Sequence, residues 1–195
     1  MDERVPAPGR RSRHAVPVTS RADTAAAGLA ELLVGDAVDA AGHLGKHIGL
    51  KPRSPQLPLA YPELLAMRVA CAELVFEEEG AQFQRLAAPA LLRRELASEL
   101  AKPARFGTAR RRLVGPLTSE RLVTLVDQRK DTFARLATAE AVVDHHCRRL
   151  MEVTGKPMAA AAAGWMAFRL AEVHAVNMAR STATNLVEDG WFDAA

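Results

Sequence analysis

Four residues in the first third of the chain have the spacing of metal ligands on one helical face. Asp36, Asp39, His43 and His47 follow one another in steps of three, four and four. Such residues share one side of a helix, and two histidines four apart with a carboxylate are a familiar ligand set for a transition metal. Asp39, His43 and His47 are therefore the candidate metal ligands. The alternative interpretation is a solvated helix face that runs into a glycine-rich loop, because glycines stand on both sides of His43.

A second polar group, Asp144, His145 and His146, stands directly before Cys147. Consecutive residues of a helix point about 100° apart, so these side chains do not converge on one ion. Cys147 falls on an apolar stripe and is interpreted as a small buried side chain. Because Cys71 is the one other cysteine in the chain, no disulfide framework is expected.

Two charged residues interrupt the most regular apolar pattern of the chain. This heptad seam runs in alternating steps of four and three through residues 122, 126, 129, 133, 136, 140, 143, 147, 150 and 154. Arg129 and Glu140 occupy seam positions, and charged groups at buried positions need partners and often set register or partner choice. They are too far apart on one helix to pair with each other. We expect each to meet a neighbouring helix, another subunit or a ligand, and we interpret them as register residues rather than as an active site.

Basic residues are concentrated in two segments. The stretch 85–112 holds eight basic and two acidic residues and ends in an arginine run between glycines, and the first 19 residues add further arginines. Arginines on flexible segments suit contacts with phosphates, which give affinity without reading sequence. Phe106 is the one aromatic residue in 85–112, so this stretch offers few aromatic side chains on which nucleic-acid bases could stack. The alternative is a solvated surface that meets the acidic residues of 73–79. The candidate anion-binding residues are Arg10, Arg11, Arg13, Arg105, Arg110, Arg111 and Arg112.

The elements that must position these residues are predicted to be helices. Ser20 or Asp23 can cap a helix over 25–41, followed by a loop over 42–60. Pro62 suits the first turn of the next helix, which is interrupted at Gly80 and resumes to about residue 101 with a kink near Pro89. Residues 102–117 contain two prolines and two glycines, and they are predicted to form a basic loop.

The end of the chain is predicted to be a long helical hairpin. Thr118 can cap a helix that continues to Gly155, Lys156 and Pro157, and a last helix covers about 158–187. Two helices joined by so short a break should pack antiparallel. The expected core residues of the last helix are Met158, Ala162, Trp165, Met166, Val173 and Val176. The predicted fold class is therefore an all-α helical bundle with a long C-terminal antiparallel hairpin.

Composition limits the class of protein. The 195 residues include 38 alanines and 23 leucines, whereas aromatic residues are only 5%, and this composition favours helices over strands. Charged residues at 25% with a mean hydropathy of −0.06 exclude a membrane protein and a wholly disordered one. The net charge of +3 equals that of residues 1–21. We predict a disordered basic tail over 1–19 and one bundle domain over 20–195, located in the cytoplasm, without a membrane segment.

The motifs of catalysis are missing from the sequence. There is no phosphate-binding glycine loop, nucleophile elbow, His-Glu-x-x-His or Cys-x-x-Cys, and no cofactor is predicted. The leading hypothesis is a non-enzymatic helical binding protein that engages a nucleic acid or an acidic protein surface through its Arg-rich segments. One alternative is a bundle that holds a metal or small molecule, as an enzyme or a carrier. A further alternative is a structural subunit that assembles through the heptad seam into a homo-oligomer.

Overall fold

The computed structural model describes residues 20–78, 87–102, 108–114 and 116–193, and for 108–110 it describes the backbone alone. Every regular element in these ranges is a helix, so the predicted all-α class is confirmed. The predicted tail over 1–19 lies outside them. The helices are α1 (Arg21–His47), α2 (Gln56–Glu78), α3 (Ala88–Leu100), α4 (Thr108–Val114), α5 (Ser119–Phe133), α6 (Ala139–Thr154) and α7 (Ala162–Glu188), with a 3-10 turn at Met158–Ala160.

Helix α2 is the centre of the bundle, and it packs against each of the other six helices. Every residue from Ala60 to Phe76 is buried. Apolar side chains occupy all sides of this helix, and a helix that is apolar all round has to be enclosed by others. The core of the protein therefore surrounds α2 rather than lying between two layers.

Helices α1 and α7 lie antiparallel along their full length of 27 residues each. At one end the Arg21 guanidinium donates to the carbonyl oxygen of Asp189 at 3.1 Å. At the other end Gly164 approaches the backbone of His47 so closely that an added Cβ would lie 1.9 Å from the His47 carbonyl oxygen. The absence of a side chain at Gly164 is what lets the two helices meet here.

The start of α1 agrees with the sequence, whereas its end does not. Ser20 caps the helix in a capping box with Asp23, as predicted. The helix continues through Gly42 and Gly45 to His47, so the loop predicted over 42–60 is wrong. Gly49 ends the helix instead, with a φ of 71° that suits glycine. The Leu50 N–H donates back to the Gly45 carbonyl at 2.7 Å, which satisfies the helix end.

Two further helix starts differ from the prediction. Helix α2 begins at Gln56, so Pro62 lies inside the helix and not in its first turn. Helix α3 begins at Ala88, which places Pro89 in the first turn, where its missing N–H breaks no helical hydrogen bond. The kink predicted near Pro89 is therefore wrong.

Part of the predicted basic loop is helical. Residues Thr108–Val114 form α4, and arginine and leucine are good helix formers. Val114 is buried in the core cluster, half-buried Leu113 packs against that cluster, and α4 contacts α2. The last turn of the helix therefore packs on the bundle while Arg111 and Arg112 remain exposed.

The single helix predicted from Thr118 to residue 154 is two helices. Helix α5 ends at Phe133, and α6 begins after Thr138, whose hydroxyl accepts from the Ala141 N–H at 3.2 Å. This cap competes with continuation of the helix. The last helix begins at Ala162, and Met158 (41% exposed), Met166 (51% exposed) and Ala162 are solvent-accessible rather than core residues. Trp165 and Val176 are buried and Val173 is half-buried, in agreement with the prediction.

Candidate functional site

Three charged side chains lie inside the bundle on the central helix. Glu63, Arg68 and Glu73 are spaced five residues apart on α2, and each is at most 5% exposed. A buried charge is tolerated only when it is paired and hydrogen-bonded. Each of the three meets partners from other helices, so α2 is held to its neighbours by ion pairs as well as by apolar packing.

Arg68 is the most enclosed of the three. Its Nη1 and Nη2 each donate to a Glu172 oxygen of α7 at 2.9 Å, and Nε donates to Asp36 of α1. Nη1 also donates to the Leu64 carbonyl at 3.1 Å. Burial disfavours the charged guanidinium, but the carboxylates of Glu172 and Asp36 outweigh that effect and raise the Arg68 pKa. This cluster ties together α1, α2 and α7.

Arg129 has a buried partner on a neighbouring helix, which is one of the three kinds of partner that the sequence left open. Its Nε and Nη2 donate to Glu63 Oε2 at 3.0 and 2.8 Å. The second Glu63 oxygen lies 3.6 Å from an Arg149 nitrogen of α6. Glu63 therefore joins α2 to both α5 and α6.

Glu73 closes the third connection of α2. Its carboxylate accepts two hydrogen bonds from Arg93 of α3 at 2.7 Å and one from Lys130 of α5 at 3.1 Å. Arg93 also donates to Asp127 at 2.6 Å, and Lys130 also donates to Glu77. Hydrogen bonds to Glu73 are the main reason that the pKa of Arg93 is raised.

Glu140 does not lie in the core. It is exposed in the first turn of α6, and the seam residue before it, Leu136, is only half-buried. The helix is broken between residues 134 and 138. Residues with four-and-three spacing on opposite sides of this break therefore do not share one helical face. The expectation of a buried Glu140 is therefore wrong, whereas the seam residues on either side of the break are buried: Leu122, Val126, Phe133, Val143, Cys147, Leu150 and Thr154.

His146 is fully buried on α6, and neither ring nitrogen has a hydrogen-bond partner among the described residues. Burial, together with the charges of Arg68 and Arg129, lowers the pKa of this imidazole well below its usual value. Its neighbour His145 is partly buried, and burial followed by Arg129 lowers its pKa as well. His146 is therefore a neutral core side chain at physiological pH.

Both cysteines are buried free thiols. Burial raises the pKa of Cys71 to about 11 and the pKa of Cys147 to about 12. A thiolate is the reactive form of cysteine, and at neutral pH neither residue is in that form. The arrangement does not support nucleophilic or redox chemistry at these two positions.

The candidate metal ligands are on one continuous helix, although the sequence predicted that His43 and His47 lie in a loop. Asp39, His43 and His47 are all exposed on α1. Asp36, the fourth residue of the pattern, hydrogen-bonds to Arg68 instead. In the part of the chain that the structure describes, no three histidine, cysteine or acidic side chains come together as a metal-binding group.

The basic residues lie at the end of the bundle where α4 meets the C-terminal part of α1. Arg111 and Arg112 are exposed on α4, and Lys46 and Arg53 are exposed at the end of α1 and in the loop that follows it. Lys46, Arg53 and Arg112 border one shared cavity. We call these four residues the basic end. Arg10, Arg11, Arg13 and Arg105 lie outside the described residues, as does the side chain of Arg110.

Sequence reasoning placed Glu73 in a solvated acidic surface and did not single out Glu63 or Arg68. The available signal was the lack of a polar face: between Leu57 and Phe76 the only charged residues are Glu63, Arg68 and Glu73. A helix with so few polar residues is enclosed on all sides. Its charges must then be paired inside the core.

The fold and these side chains define an all-α bundle with an ion-paired central helix and a basic end. Comparison of the chain with protein-family models, with curated proteins and with solved structures finds no match. None of the helices in the described ranges has the length and apolar character needed to cross a membrane.

Proposed function

We propose that this protein is a non-enzymatic helical binding protein whose Arg-rich segments engage an anionic partner, with a nucleic acid as the favoured class. The arginines concerned are the run Arg110 to Arg112 on α4, together with Arg105 and the N-terminal Arg10, Arg11 and Arg13. Their contacts are with phosphates, which give affinity with little sequence preference.

The observation that carries this proposal is a difference between two groups of cations. Arg68, Arg93 and Arg129 pack against carboxylates of the protein itself. At the basic end, Lys46, Arg53 and Arg112 make no ion pair with any described residue. These three cations come from three elements to one cavity, whereas the exposed Arg121, Arg135 and Arg148 lie on other elements. The mutual repulsion of clustered cations is relieved when an external anion binds.

The position of α4 supports the same proposal. Buried Val114 fixes the end of this helix, whereas Arg111 and Arg112 in its last turn are exposed. A short helix packed on the bundle limits the conformations of these arginines relative to a free loop. Less conformational entropy is then lost on binding.

Self-assembly is the second candidate function, and a separate surface favours it. Met166 and Leu170 of α7 are 51% and 65% exposed on successive turns of the helix. We also propose that α6 and α7 pair as an antiparallel hairpin, since Asp144 near the start of α6 pairs with Arg169 and Met151 further along shares a cavity with Met158. If this face is an interface, Leu170→Glu should shift the sedimentation coefficient to that of a monomer.

The main proposal is tested with a short fluorescent DNA duplex. Fluorescence anisotropy of the duplex should rise on addition of the full chain, and the affinity should fall as salt is added. Unlabelled DNA of unrelated sequence should compete almost as well as the same sequence. Polyglutamate is used as a second competitor. If it displaces the duplex as well as unlabelled DNA does, the partner is an acidic protein surface rather than a nucleic acid.

The variant that carries the test is Arg110→Gln, Arg111→Gln and Arg112→Gln together. Its matched control is Arg121→Gln, Arg135→Gln and Arg148→Gln, which removes the same charge from three exposed arginines on other elements. The first set should weaken binding, and the second should have much less effect. Equal loss in the two sets would show attraction by net charge alone, and no binding at physiological salt would reject the proposal.

A further inference from the structure

A cavity of about 620 Å³ opens beside the basic end, between the C-terminal part of α1, the loop after it and α4. Its volume lies in the range of small-molecule sites, roughly 300–1,000 Å³. Most of its described wall is apolar. The side chains that make it so are Val38, Leu50, Pro52, Leu57, Pro58 and Leu113.

The glycines of α1 leave room for this cavity. Gly42 and Gly45 both lie in its wall. A Cβ at Gly45 would lie 3.3 Å from both methyl carbons of Leu57, whereas a Cβ at Gly42 has no other atom within 4 Å. Glycine inside a helix lowers stability by about 1 kcal/mol against alanine, and here the missing side chains keep the space between α1 and the loop open.

Three cations line the same cavity, each from a different element. Lys46 comes from α1, Arg53 from the loop and Arg112 from α4, and none of them forms an ion pair with a described residue. Asp39 is the one acidic residue in the described wall. The charged groups of the wall therefore have a positive excess of two.

We infer that this cavity binds a small organic anion with an apolar body, such as an aryl sulfonate or a fatty acid. The apolar part would fill the space between Val38, Leu57 and Leu113, where burial removes its surface from water. The acidic group would remain at the rim among Lys46, Arg53 and Arg112. A neutral ligand of the same shape would lose the interactions with these three cations.

This site goes beyond the proposed function, because a nucleic-acid duplex is far too wide to enter a cavity of this size. The phosphates of a duplex would contact Arg112 only from outside. The two activities can therefore be separated by changing the interior of the cavity while its cations are kept.

The probes are 1-anilinonaphthalene-8-sulfonate and N-phenyl-1-naphthylamine, which share one ring system and differ in the sulfonate. Isothermal titration calorimetry on the full chain should show one site for the sulfonate and weaker binding of the amine. Lys46→Gln with Arg53→Gln should weaken binding of the sulfonate by roughly 2- to 30-fold. The same pair of changes should leave binding of the neutral amine almost unchanged.

The cavity itself is tested with Gly42→Phe, since a large side chain at this open position can occupy the space. The matched control is Gly28→Phe on the same helix, where an added Cβ also has no other atom within 4 Å and which is not part of the cavity wall. Gly42→Phe should abolish binding of both dyes, whereas Gly28→Phe should preserve it. Thermal melts of both variants check that the fold is intact.

Three results would overturn the inference: neither dye binds the wild-type protein, both bind equally well, or a folded Gly42→Phe protein binds them with unchanged affinity. Binding of a DNA duplex by Gly42→Phe should equal that of the wild-type protein. If dye binding fails and DNA binding remains, the inference about the cavity is wrong and the proposed function stands. If DNA binding fails and dye binding remains, the proposed function is wrong and the inference about the cavity stands.

Discussion

Arg68 and Glu172 face each other across the core in two parallel hydrogen bonds of 2.9 Å, one from each terminal nitrogen of the guanidinium. Their side chains are 1% and 3% exposed. The pair joins the central helix to α7, and Asp36 of α1 completes the cluster. Geometry of this kind fixes the relative position of helices more than it adds net stability.

Replacing Arg68 with methionine should destabilise the protein by about 3–5 kcal/mol, since Glu172 would remain buried without its partner. Urea denaturation followed by circular dichroism measures the change. Arg121→Met, at an exposed position of α5, is the control and should change stability by less than about 0.5 kcal/mol. Equal effects of the two substitutions would show that the Arg68 cluster does not hold the bundle together.

His146 should make the fold sensitive to mild acid. Its pKa in the folded protein is lowered well below the usual value, whereas in the unfolded chain it is about 6.5. As the pH falls below about 6.5, the His146 imidazole becomes protonated in the unfolded state but stays neutral in the folded state. The free energy of unfolding therefore decreases by up to about 1.4 kcal/mol per pH unit. His146→Phe should remove this component of the pH dependence.

The histidine can also be observed directly by nuclear magnetic resonance. The Hε1 signal of His146 should keep the shift of a neutral ring as the pH falls below about 6.5. A midpoint near 6.5 for His146 would contradict its burial among Arg68 and Arg129.

Gly164 and Gly28 should respond to alanine in opposite directions. An added Cβ at Gly164 would collide with the backbone of His47, so Gly164→Ala forces α1 and α7 apart and should destabilise by about 1–3 kcal/mol. Gly28 has open space around it, and Gly28→Ala should stabilise the helix by up to about 1 kcal/mol. The melting temperatures of both variants measure these effects. A higher melting temperature for Gly164→Ala would exclude the close contact between α7 and His47 of α1.

The break between α5 and α6 should depend on Thr138. Thr138→Ala removes the hydroxyl that accepts from the Ala141 N–H and should cost about 0.5–2 kcal/mol. Glu140→Leu, in the first turn of α6, should lose at most about 1 kcal/mol from the favourable position of an acid at a helix start. Marked stabilisation by Glu140→Leu in urea denaturation would instead place this residue in the core.

The sequence predicted several features that depend on neighbouring residues alone, although it missed the cap at Thr138. The caps at Ser20 and Thr118 and the left-handed Gly155 are present, because a cap needs only a side chain and a nearby backbone group. The helical class follows in the same way from residues with strong helix propensity. The seam on each side of the break is also correct, because spacing within one helix fixes which residues share a face.

Features that depend on the packing between helices were out of reach. The four-and-three spacing continues through Leu136 and Glu140 whether or not the helix turns between them, so it does not reveal the break. Gly42 lies inside α1 and does not end the helix. The open space beside it could not be predicted from the sequence. The basic end is visible only when α4 and the loop after α1 meet, since Arg53 and Arg112 are 59 positions apart.

The central claim, that arginines of α4 contact an anionic partner, is tested most directly by the salt dependence of duplex DNA binding. Each phosphate contact contributes about −0.9 to the slope of log K against log salt. Changing Arg110, Arg111 and Arg112 to glutamine should flatten this slope by about two to three units, whereas the control set of Arg121, Arg135 and Arg148 should leave it nearly unchanged. The same slope in the wild-type protein and the α4 variant would contradict the claim.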